Sequence, residues 1–338
     1  MKIAVIFGGA SEERNVSIAS GLEVIAGLLA GGHDVIAIDT AKGALSSEEE
    51  SALEGFEVVK KLPDSAALEE ARTHHPVAIA NAPELRNVDV VFIALHGGSG
   101  EDGTLQALLE ASQIPFTGSG HVGSAIAMDK DVSKRLMLVA GVPTPPWQMC
   151  NPNDEGVENR LGFPVIVKPN AQGSTIGLSL VRDESDLHAA IAKAGEFDHE
   201  VMLEAYVSGR EFTVGILDGE PLAVGEIVAP TEIFDYASKY QRDGAREFFP
   251  AEIPFSLTQE IQELGVRVHK ALKLSGYSRV DFRMDAEGRV WCLEANSVPG
   301  LTPTSLLPQS AKAAGISFPE LCERICRLAI TKSNRKGA

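Results

Sequence analysis

The amino-acid sequence predicts an α/β unit with a parallel sheet, followed by two smaller α+β units. The β-branched run Lys2–Phe7 ends in Gly8-Gly9 and precedes a helical pattern and a second strand, an order typical of parallel sheets covered by helices. Beyond residue 122, short strands alternate with loops and helices instead. At roughly 100–200 residues per domain, the 338 residues accommodate three units. We place them at residues 1–121, 122–209 and 210–338.

The first unit has a helix at 15–30, a strand at 34–38 and a buried strand at 88–95, which runs directly into His96-Gly97-Gly98. Residues 40–86 are weakly patterned and acidic, and we interpret them as an elaboration of this unit. The second unit begins with a helix at 128–140, followed by a stretch rich in proline and glycine.

The remaining elements follow from alternation of apolar residues and from helical periodicity. A polar loop is predicted at 231–246, and the tail 333–338 is expected to fray. The other predicted strands are 165–168, 177–181, 200–205, 211–217, 221–228, 277–284 and 290–294, and the other helices are 184–194, 258–274, 305–314 and 318–330.

Composition excludes several classes of protein. The net charge of −17, from 47 acidic and 30 basic residues, argues against nucleic acid or an anionic membrane surface as the main partner. The N-terminal apolar run is too short for a signal peptide or a membrane span, so a cytoplasmic enzyme is expected. Cysteines without CxxC spacing favour buried thiols over metal ligands or disulfides. They are Cys150, Cys292, Cys322 and Cys326.

Two neighbouring strands near the C-terminus carry the strongest chemical signal. Side chains alternate along a strand, so Arg279 and Asp281 share one face, as do Glu294 and Asn296 on the next strand. If the strands pair through the turn at 286–288, two carboxylates and an amide converge, and these are hard oxygen ligands for Mg²⁺. The alternative is a surface hairpin with scattered charges, but the apolar residues between the polar ones favour half-buried strands.

A glycine-rich loop between two predicted strands is the second signal. It runs from Lys168, at the end of an apolar strand, through Gly173-Ser174-Thr175 to Gly177. Such a turn lets backbone N–H groups approach phosphate oxygens. An ordinary hairpin would look similar, and the spacing differs from the GxxxxGK[ST] loop of P-loop proteins.

These motifs, taken in order along nearly the whole chain, resemble the D-alanine–D-alanine ligase family of the ATP-grasp superfamily. The resemblance therefore implies an ATP-grasp fold behind an N-terminal parallel-sheet domain. The matching segments are Gly8-Gly9, Glu13 to Ser17, Leu95 to Gln106, Met128-Asp129-Lys130, Val167-Lys168-Pro169, Gly173-Ser174, Glu211 to Val214, Asp235 to Tyr240, Arg279-Val280-Asp281 and Glu294 to Gly300.

The resemblance implies how ATP and metal are bound. Lys130 and Lys168 would contact the phosphates, and Lys239 would reach the γ-phosphate from the loop 231–246. Two Mg²⁺ (or Mn²⁺) ions would be bound by a set of three ligands. The implied metal ligands are Asp281, Glu294 and Asn296, and the implied adenine and ribose contacts are Glu204, Ala205, Val207 and Glu211.

The resemblance also implies the reaction, in which two D-alanines are joined through an acyl phosphate to supply peptidoglycan synthesis. Arg279 and the Gly300 N–H would bind the oxyanion, and Glu13 would pair with the first ammonium. A homodimer is expected by resemblance alone. The other implied residues are Ser174 and Tyr240, which would link with Glu13, His96 near the first substrate, and Ser305 and Leu306 at the second carboxylate.

Several alternatives stay open at this point. Glu13 could only favour the first turn of a helix, His96 could be structural, and capping is the preferred interpretation of Glu101 and Asp102. The second substrate could be D-lactate or D-serine, although Tyr240 favours D-alanine by resemblance. A catalytically inactive nucleotide-binding regulator is the alternative from another class. The chain departs from the family pattern at Gln172, Ala205 and Val298.

Overall fold

Three β-sheets form the frame of the molecule in the computed structural model, which describes residues 1–53, 56, 76–154, 156–229 and 244–336. The sheets follow one another along the chain, each covered by helices. None of the helices in these ranges has the length and apolarity needed to cross a bilayer.

The first sheet has the strand order β3-β2-β1-β4, and its central strand β1 pairs in parallel with both β2 and β4. A continuous apolar run is what a central parallel strand requires, because helices and loops cover both of its faces. The βαβ prediction is therefore confirmed. The elements are β1 (Lys2–Phe7), α1 (Arg14–Ala30), β2 (Asp34–Asp39), β3 (Gly43–Ala44), α2 (Ser47–Ala52), α3 (Pro76–Ala80), β4 (Val90–Ile93) and α4 (Thr104–Ala111).

Helix α1 lies between this sheet and the last helix of the chain, α10 (Phe318–Lys336). Gly21 permits the approach to the sheet, since a Cβ there would lie 2.5 Å from Phe7, and Gly27 permits the approach of Phe318. The C-terminal helix thus completes the core of the first unit. It continues to Lys336, beyond its predicted end and into the tail expected to fray.

Residue Asp129 separates two helices, of which the sequence predicted only the second. Helix α5 (His121–Met128) ends there, and α6 (Lys130–Val139) begins, with the Asp129 side chain accepting a hydrogen bond from the Val132 N–H at 3.0 Å. An N-cap aspartate satisfies an otherwise unpaired N–H of the first turn. The predicted helix at 128–140 is therefore confirmed as α6, which begins at Lys130, whereas α5 was not predicted.

The second sheet is antiparallel, in the order β5-β8-β6-β7, with helix α7 packed on it. Strand β5 was not predicted, because its four residues follow the proline-rich stretch and only pairing with β8 makes them a strand. The elements are β5 (Trp147–Cys150), β6 (Val165–Pro169), β7 (Ser179–Val181), α7 (Glu184–Gly195) and β8 (Val201–Ala205).

The third sheet is also antiparallel, in the order β11-β10-β9-β12-β13. Helices α8 and α9 pack on it. Most of the predicted loop 231–246 lies outside the described residues, and its last residue begins strand β11. The elements are β9 (Arg210–Leu217), β10 (Glu220–Val228), β11 (Arg246–Phe248), α8 (Phe255–Ala271), β12 (Tyr277–Met284), β13 (Val290–Asn296) and α9 (Leu306–Ala313).

Three of the four cysteines are buried and Cys150 is half-buried, all as free thiols. Burial raises the pKa of each of these thiols above its ordinary value. The expectation of buried thiols is thereby confirmed for Cys292, Cys322 and Cys326.

Candidate active site

A cavity of about 1220 Å³ opens where helix α1 meets residues of the second and third sheets. Every predicted site residue within the described part of the chain lines it, whereas Lys239 and Tyr240 lie outside the described residues. The residues brought together are Glu13, His96, Lys130, Lys168, Ser174, Glu204, Ala205, Val207, Glu211, Arg279, Asp281, Glu294, Asn296, Gly300, Ser305 and Leu306.

The hairpin of β12 and β13 forms one wall of this cavity. Asp281 lies directly opposite Glu294, and Arg279 opposite Asn296, as the alternation rule predicted. The Asn296 side chain donates a hydrogen bond to Asp281 at 3.1 Å. Two carboxylates and an amide are therefore adjacent on neighbouring strands, a donor set suited to Mg²⁺.

Asp281 is buried, with 8% exposure, and its carboxylate has three protein partners. Arg279 donates from Nε at 2.9 Å and from a terminal nitrogen at 2.8 Å, a paired contact that fixes both groups. Thr213, on the neighbouring strand β9, donates at 2.7 Å. The guanidinium is thus held in the plane of the cavity wall beside the carboxylates.

Two buried lysines, Lys130 and Lys168, contribute positive charge to the cavity lining. Lys130 donates to the Gln172 carbonyl at 2.5 Å and lies 3.7 Å from Glu294, and Lys168 donates to Glu204 at 2.8 Å. The contact of Lys130 with residue 172 uses only the backbone, so the departure to glutamine leaves it intact. Burial lowers the pKa of Lys130, against the opposing charge of Glu294.

Both carboxylate oxygens of Glu204 are bound by lysines, Lys168 at 2.8 Å and Lys134 at 2.6 Å. Burial acts to raise the pKa of Glu204, but the two ammonium charges more than offset it and hold the pKa at about 2. The side chain is therefore ionised and fixed, and its contact with adenine or ribose stays a prediction.

Arg283 was missed by the sequence reasoning, although strand alternation places it on the same face as Arg279 and Asp281. It bonds to Glu211 at 3.0 Å and to the Val207 carbonyl at 3.0 Å, and it lies over the Tyr206 ring. Arg283 thereby joins two of the predicted nucleotide contacts to each other.

The glycine-rich loop meets the start of helix α1 at Glu13. The Ser174 hydroxyl donates a hydrogen bond to the Glu13 carboxylate, and a Cβ at Gly173 would lie only 2.8 Å from that carboxylate. Ser174 and Thr175 both have positive φ, at 51° and 65°. Non-glycine residues keep such backbone conformations mainly where surrounding contacts enforce them, often at functional sites.

The environment of His96 favours the structural alternative. Its ring nitrogens contact the Val298 carbonyl at 3.0 Å and the Ser20 hydroxyl at 2.9 Å. Burial acts to lower the pKa of His96, but the nearby carboxylates of Glu101 and Glu13 raise it overall.

Of the two acidic residues before helix α4, only Asp102 acts as a helix cap. Asp102 accepts a hydrogen bond from the Thr104 N–H at 2.8 Å, as a capping residue does. Glu101 instead lies 3.5 Å from His96 and lines the cavity. Its position depends on the fold of the 96–103 loop, which no local pattern reveals.

The start of helix α9 contributes a polar turn. Ser305 precedes the helix with extended backbone, and its hydroxyl contacts that of Thr302 at 2.8 Å. A Cβ at Gly300 would lie 3.0 Å from the Ser305 hydroxyl, so this part of the turn has little spare room. The first N–H groups of the eight-residue helix lie at the cavity, where they favour an anion.

Comparisons with known proteins agree over nearly the whole chain. A family model described as D-ala D-ala ligase N-terminus matches residues 2–119, and one described as D-ala D-ala ligase C-terminus matches residues 136–327. The chain is 40% identical to a D-alanine–D-alanine ligase of Bordetella petrii, with 98% of this chain and 93% of that protein covered. It is 39% identical to the ligase of the same name from Pediococcus pentosaceus, with 96% of each covered.

Solved structures are similar over the same length. One is a D-alanine–D-alanine ligase from Bacillus anthracis complexed with ATP, with a TM-score of 0.75, 32% identity and complete coverage of both chains. Another is the VanG D-Ala:D-Ser ligase from Enterococcus faecalis, with a TM-score of 0.80, 31% identity and coverage of 97% of this chain and 99% of that one.

Proposed function

The chain belongs to the D-alanine–D-alanine ligase family, and we propose that it joins two D-alanines in an ATP-dependent, ADP-forming reaction. The predicted ATP-grasp fold is confirmed by the similar solved structures. One observation supports the activity most: a single cavity contains Arg279 beside a carboxylate–amide set and also the Glu13–Ser174 contact. An ATP-binding half and an amino-acid-binding half are thus adjacent.

ATP would bind with its phosphates near Lys130 and Lys168, whose ammonium groups are held in place by hydrogen bonds. The backbone of Ala205 and Val207 would contact adenine, and Glu211 the ribose. Lys239, which lies outside the described residues, would reach the γ-phosphate.

Asp281, Glu294 and Asn296 fit two Mg²⁺ or Mn²⁺ ions, because their hard oxygen donors are adjacent on paired strands. A bound divalent ion would neutralise part of the negative charge on the phosphate oxygens. Arg279, tied to Asp281, would keep its guanidinium directed at the reacting centre.

In the reaction, the carboxylate of the first D-alanine attacks the γ-phosphorus, forming an acyl phosphate and ADP. The amine of the second attacks the acyl carbon, loses a proton and expels phosphate. Glu13 would pair with the first ammonium, while Arg279 and the Gly300 N–H stabilise the oxyanion. The N–H groups near Ser305 and Leu306 would bind the second carboxylate, and Tyr240, outside the described residues, would contact Ser174 and Glu13.

Replacing Ser174 with Ala removes a hydrogen bond to the Glu13 carboxylate, worth about 1.5–3 kcal/mol, and so weakens the contacts that fix the orientation of Glu13. We expect the KM of the first D-alanine site to rise about tenfold or more, with a smaller change in the KM for ATP. Saturation curves for D-alanine at fixed ATP measure it. Ser179→Ala, whose hydroxyl contacts Lys193 at 3.4 Å, is the matched control, and equal KM values for both variants would contradict the assignment.

A second candidate acceptor is D-serine, favoured by the similarity to a D-Ala:D-Ser ligase, and D-lactate is a third. The relevant test offers D-alanine, D-serine and D-lactate together with ATP across pH and identifies the products by mass. We expect D-alanyl-D-alanine to predominate at neutral pH. If another product predominates, the acceptor found in that product is the second substrate instead of D-alanine.

An inactive nucleotide-binding regulator is the alternative from another class. The retained Arg279, Asp281 and Glu294, packed into one wall, argue against it. ADP release with and without D-alanine separates the two functions: ATP binding without D-alanine-dependent turnover would favour the regulator.

The biological setting follows from the proposed activity. Supply of the dipeptide to peptidoglycan synthesis, a cytoplasmic location and a homodimer are proposals that rest on the family resemblance. The same holds for domain boundaries near residues 121 and 209.

A further inference from the structure

Two buried lysines share one buried glutamate beside the cavity. Glu204, 3% exposed, accepts from Lys168 on one oxygen and from Lys134 on the other. Lys168 lines the cavity, whereas Lys134 has no exposure and is not among the lining residues. Lys134 thus lies behind the cavity lining, and Glu204 is the hydrogen-bonded link between it and Lys168.

The surroundings of Lys134 fix its ammonium in one place. It also donates to the Thr144 hydroxyl at 2.6 Å and lies over the Trp147 ring, with 5.2 Å from Nζ to the ring centroid. Burying a lysine is unfavourable unless it is paired. Among the described residues, Glu204 is the one carboxylate bonded to these two lysines, so with both ammonium groups charged the three side chains carry a net positive charge before any nucleotide binds.

We propose that Lys134 is a positioning residue for nucleotide binding, which keeps Glu204 ionised and in place when Lys168 turns toward a phosphate. This inference rests on the proposed contact of Lys168 with the phosphates of ATP. Without Lys134, the departure of Lys168 would leave a buried carboxylate without a cationic partner, and such a carboxylate takes up a proton.

The charged groups around Glu204 determine the sign of the effect. Lys134 approaches from α6, Lys168 from β6, and Lys130 from the start of α6; the Cys292 thiol on β13 is neutral, because burial raises its pKa. With both lysines bonded to it, Glu204 has a pKa of about 2. When Lys168 turns to the phosphate, we expect the Lys134 ammonium, still bonded, to keep the carboxylate ionised, so that no proton is gained near neutral pH. With Lys134 neutralised and Lys168 on the phosphate, the pKa of Glu204 rises and protonation accompanies binding.

Titration calorimetry of Mg²⁺-ADP binding tests this, in two buffers of different ionisation enthalpy at pH 6 and pH 8. For Lys134→Met, we expect an affinity about tenfold lower than wild type at pH 8, a smaller loss at pH 6, and proton uptake approaching one per ADP above the wild-type value. Lys134→Arg keeps the charge and should show neither effect. If the methionine variant does not fold, Lys134→Gln takes its place with the same expectation.

The double variant Lys134→Met with Glu204→Gln separates positioning from simple damage to the fold. Removing the carboxylate should abolish the extra proton uptake and make the affinity loss the same at pH 6 and pH 8, which a packing defect in the single variant would not predict. Absence of proton uptake in the single variant, or its persistence in the double variant, would overturn the inference. An unchanged ADP affinity in Lys168→Met would instead remove the phosphate contact on which it rests.

Discussion

We expect replacement of Arg279 by Ala to lower kcat by roughly a hundred- to a thousandfold, the usual loss when a donor to a developing oxyanion is removed. The guanidinium is held by Asp281 at 2.8–2.9 Å and lines the cavity, so its orientation does not depend on substrate. Because the interaction strengthens as negative charge develops, we expect kcat to fall more than the KM values change. Steady-state ADP release with saturating D-alanine measures the effect.

Arg210→Ala is the matched control for this variant. Arg210 lies on β9 of the same sheet and pairs with Glu226 at 2.6 Å, and it is not among the residues that line the cavity. The control should retain its kcat within a factor of about two, as expected for the loss of a surface ion pair. If Arg279→Ala stays equally active, Arg279 does not stabilise the oxyanion.

Glu294→Gln should weaken divalent-metal binding by at least ~10–100-fold, the range known for perturbing even the outer partners of metal sites. The carboxylate lies opposite Asp281 and 3.7 Å from Lys130. Its loss removes one of the two negative charges that would offset the ions. Titration of activity with Mg²⁺ at fixed ATP, and direct Mn²⁺ binding followed by electron paramagnetic resonance, both report it.

The second control changes Glu226, the ion-pair partner of Arg210. Glu226→Gln makes the same chemical change on strand β10, where its carboxylate bonds to Arg210. It should leave the Mg²⁺ dependence unchanged. Unaltered Mn²⁺ affinity in Glu294→Gln would exclude Glu294 from the metal ligands.

Much of this site was predictable because strand geometry is local. Alternation put Arg279 with Asp281 on one strand and Glu294 with Asn296 on the next, and the observed pairing of the two strands places Asp281 directly opposite Glu294. The same rule could have identified Arg283, two residues beyond Asp281. Lys134 was overlooked because a lysine in a polar helix is usually solvated, although it lies one turn after Lys130 on the same face.

Other features depend on contacts between distant segments and could not be predicted. Strand β5 exists because β8 lies beside it, and Glu101 reaches His96 only through the folded loop. Packing of the last helix against Gly27 joins the two ends of the chain, which no periodicity indicates. The break at Asp129, by contrast, had a local signal, since aspartate is a favoured N-cap.

The hydrogen bond between Ser174 and Glu13 joins the loop that follows Lys168 to the first helix of the chain, across 161 residues of sequence. In the proposed binding mode, this short segment would lie between the nucleotide and the first amino acid. Ordering the segment for one ligand would reduce the entropy that the other must lose. If bound ATP raises the affinity for D-alanine by a certain factor, bound D-alanine raises the affinity for ATP by the same factor, because binding free energies are linked reciprocally.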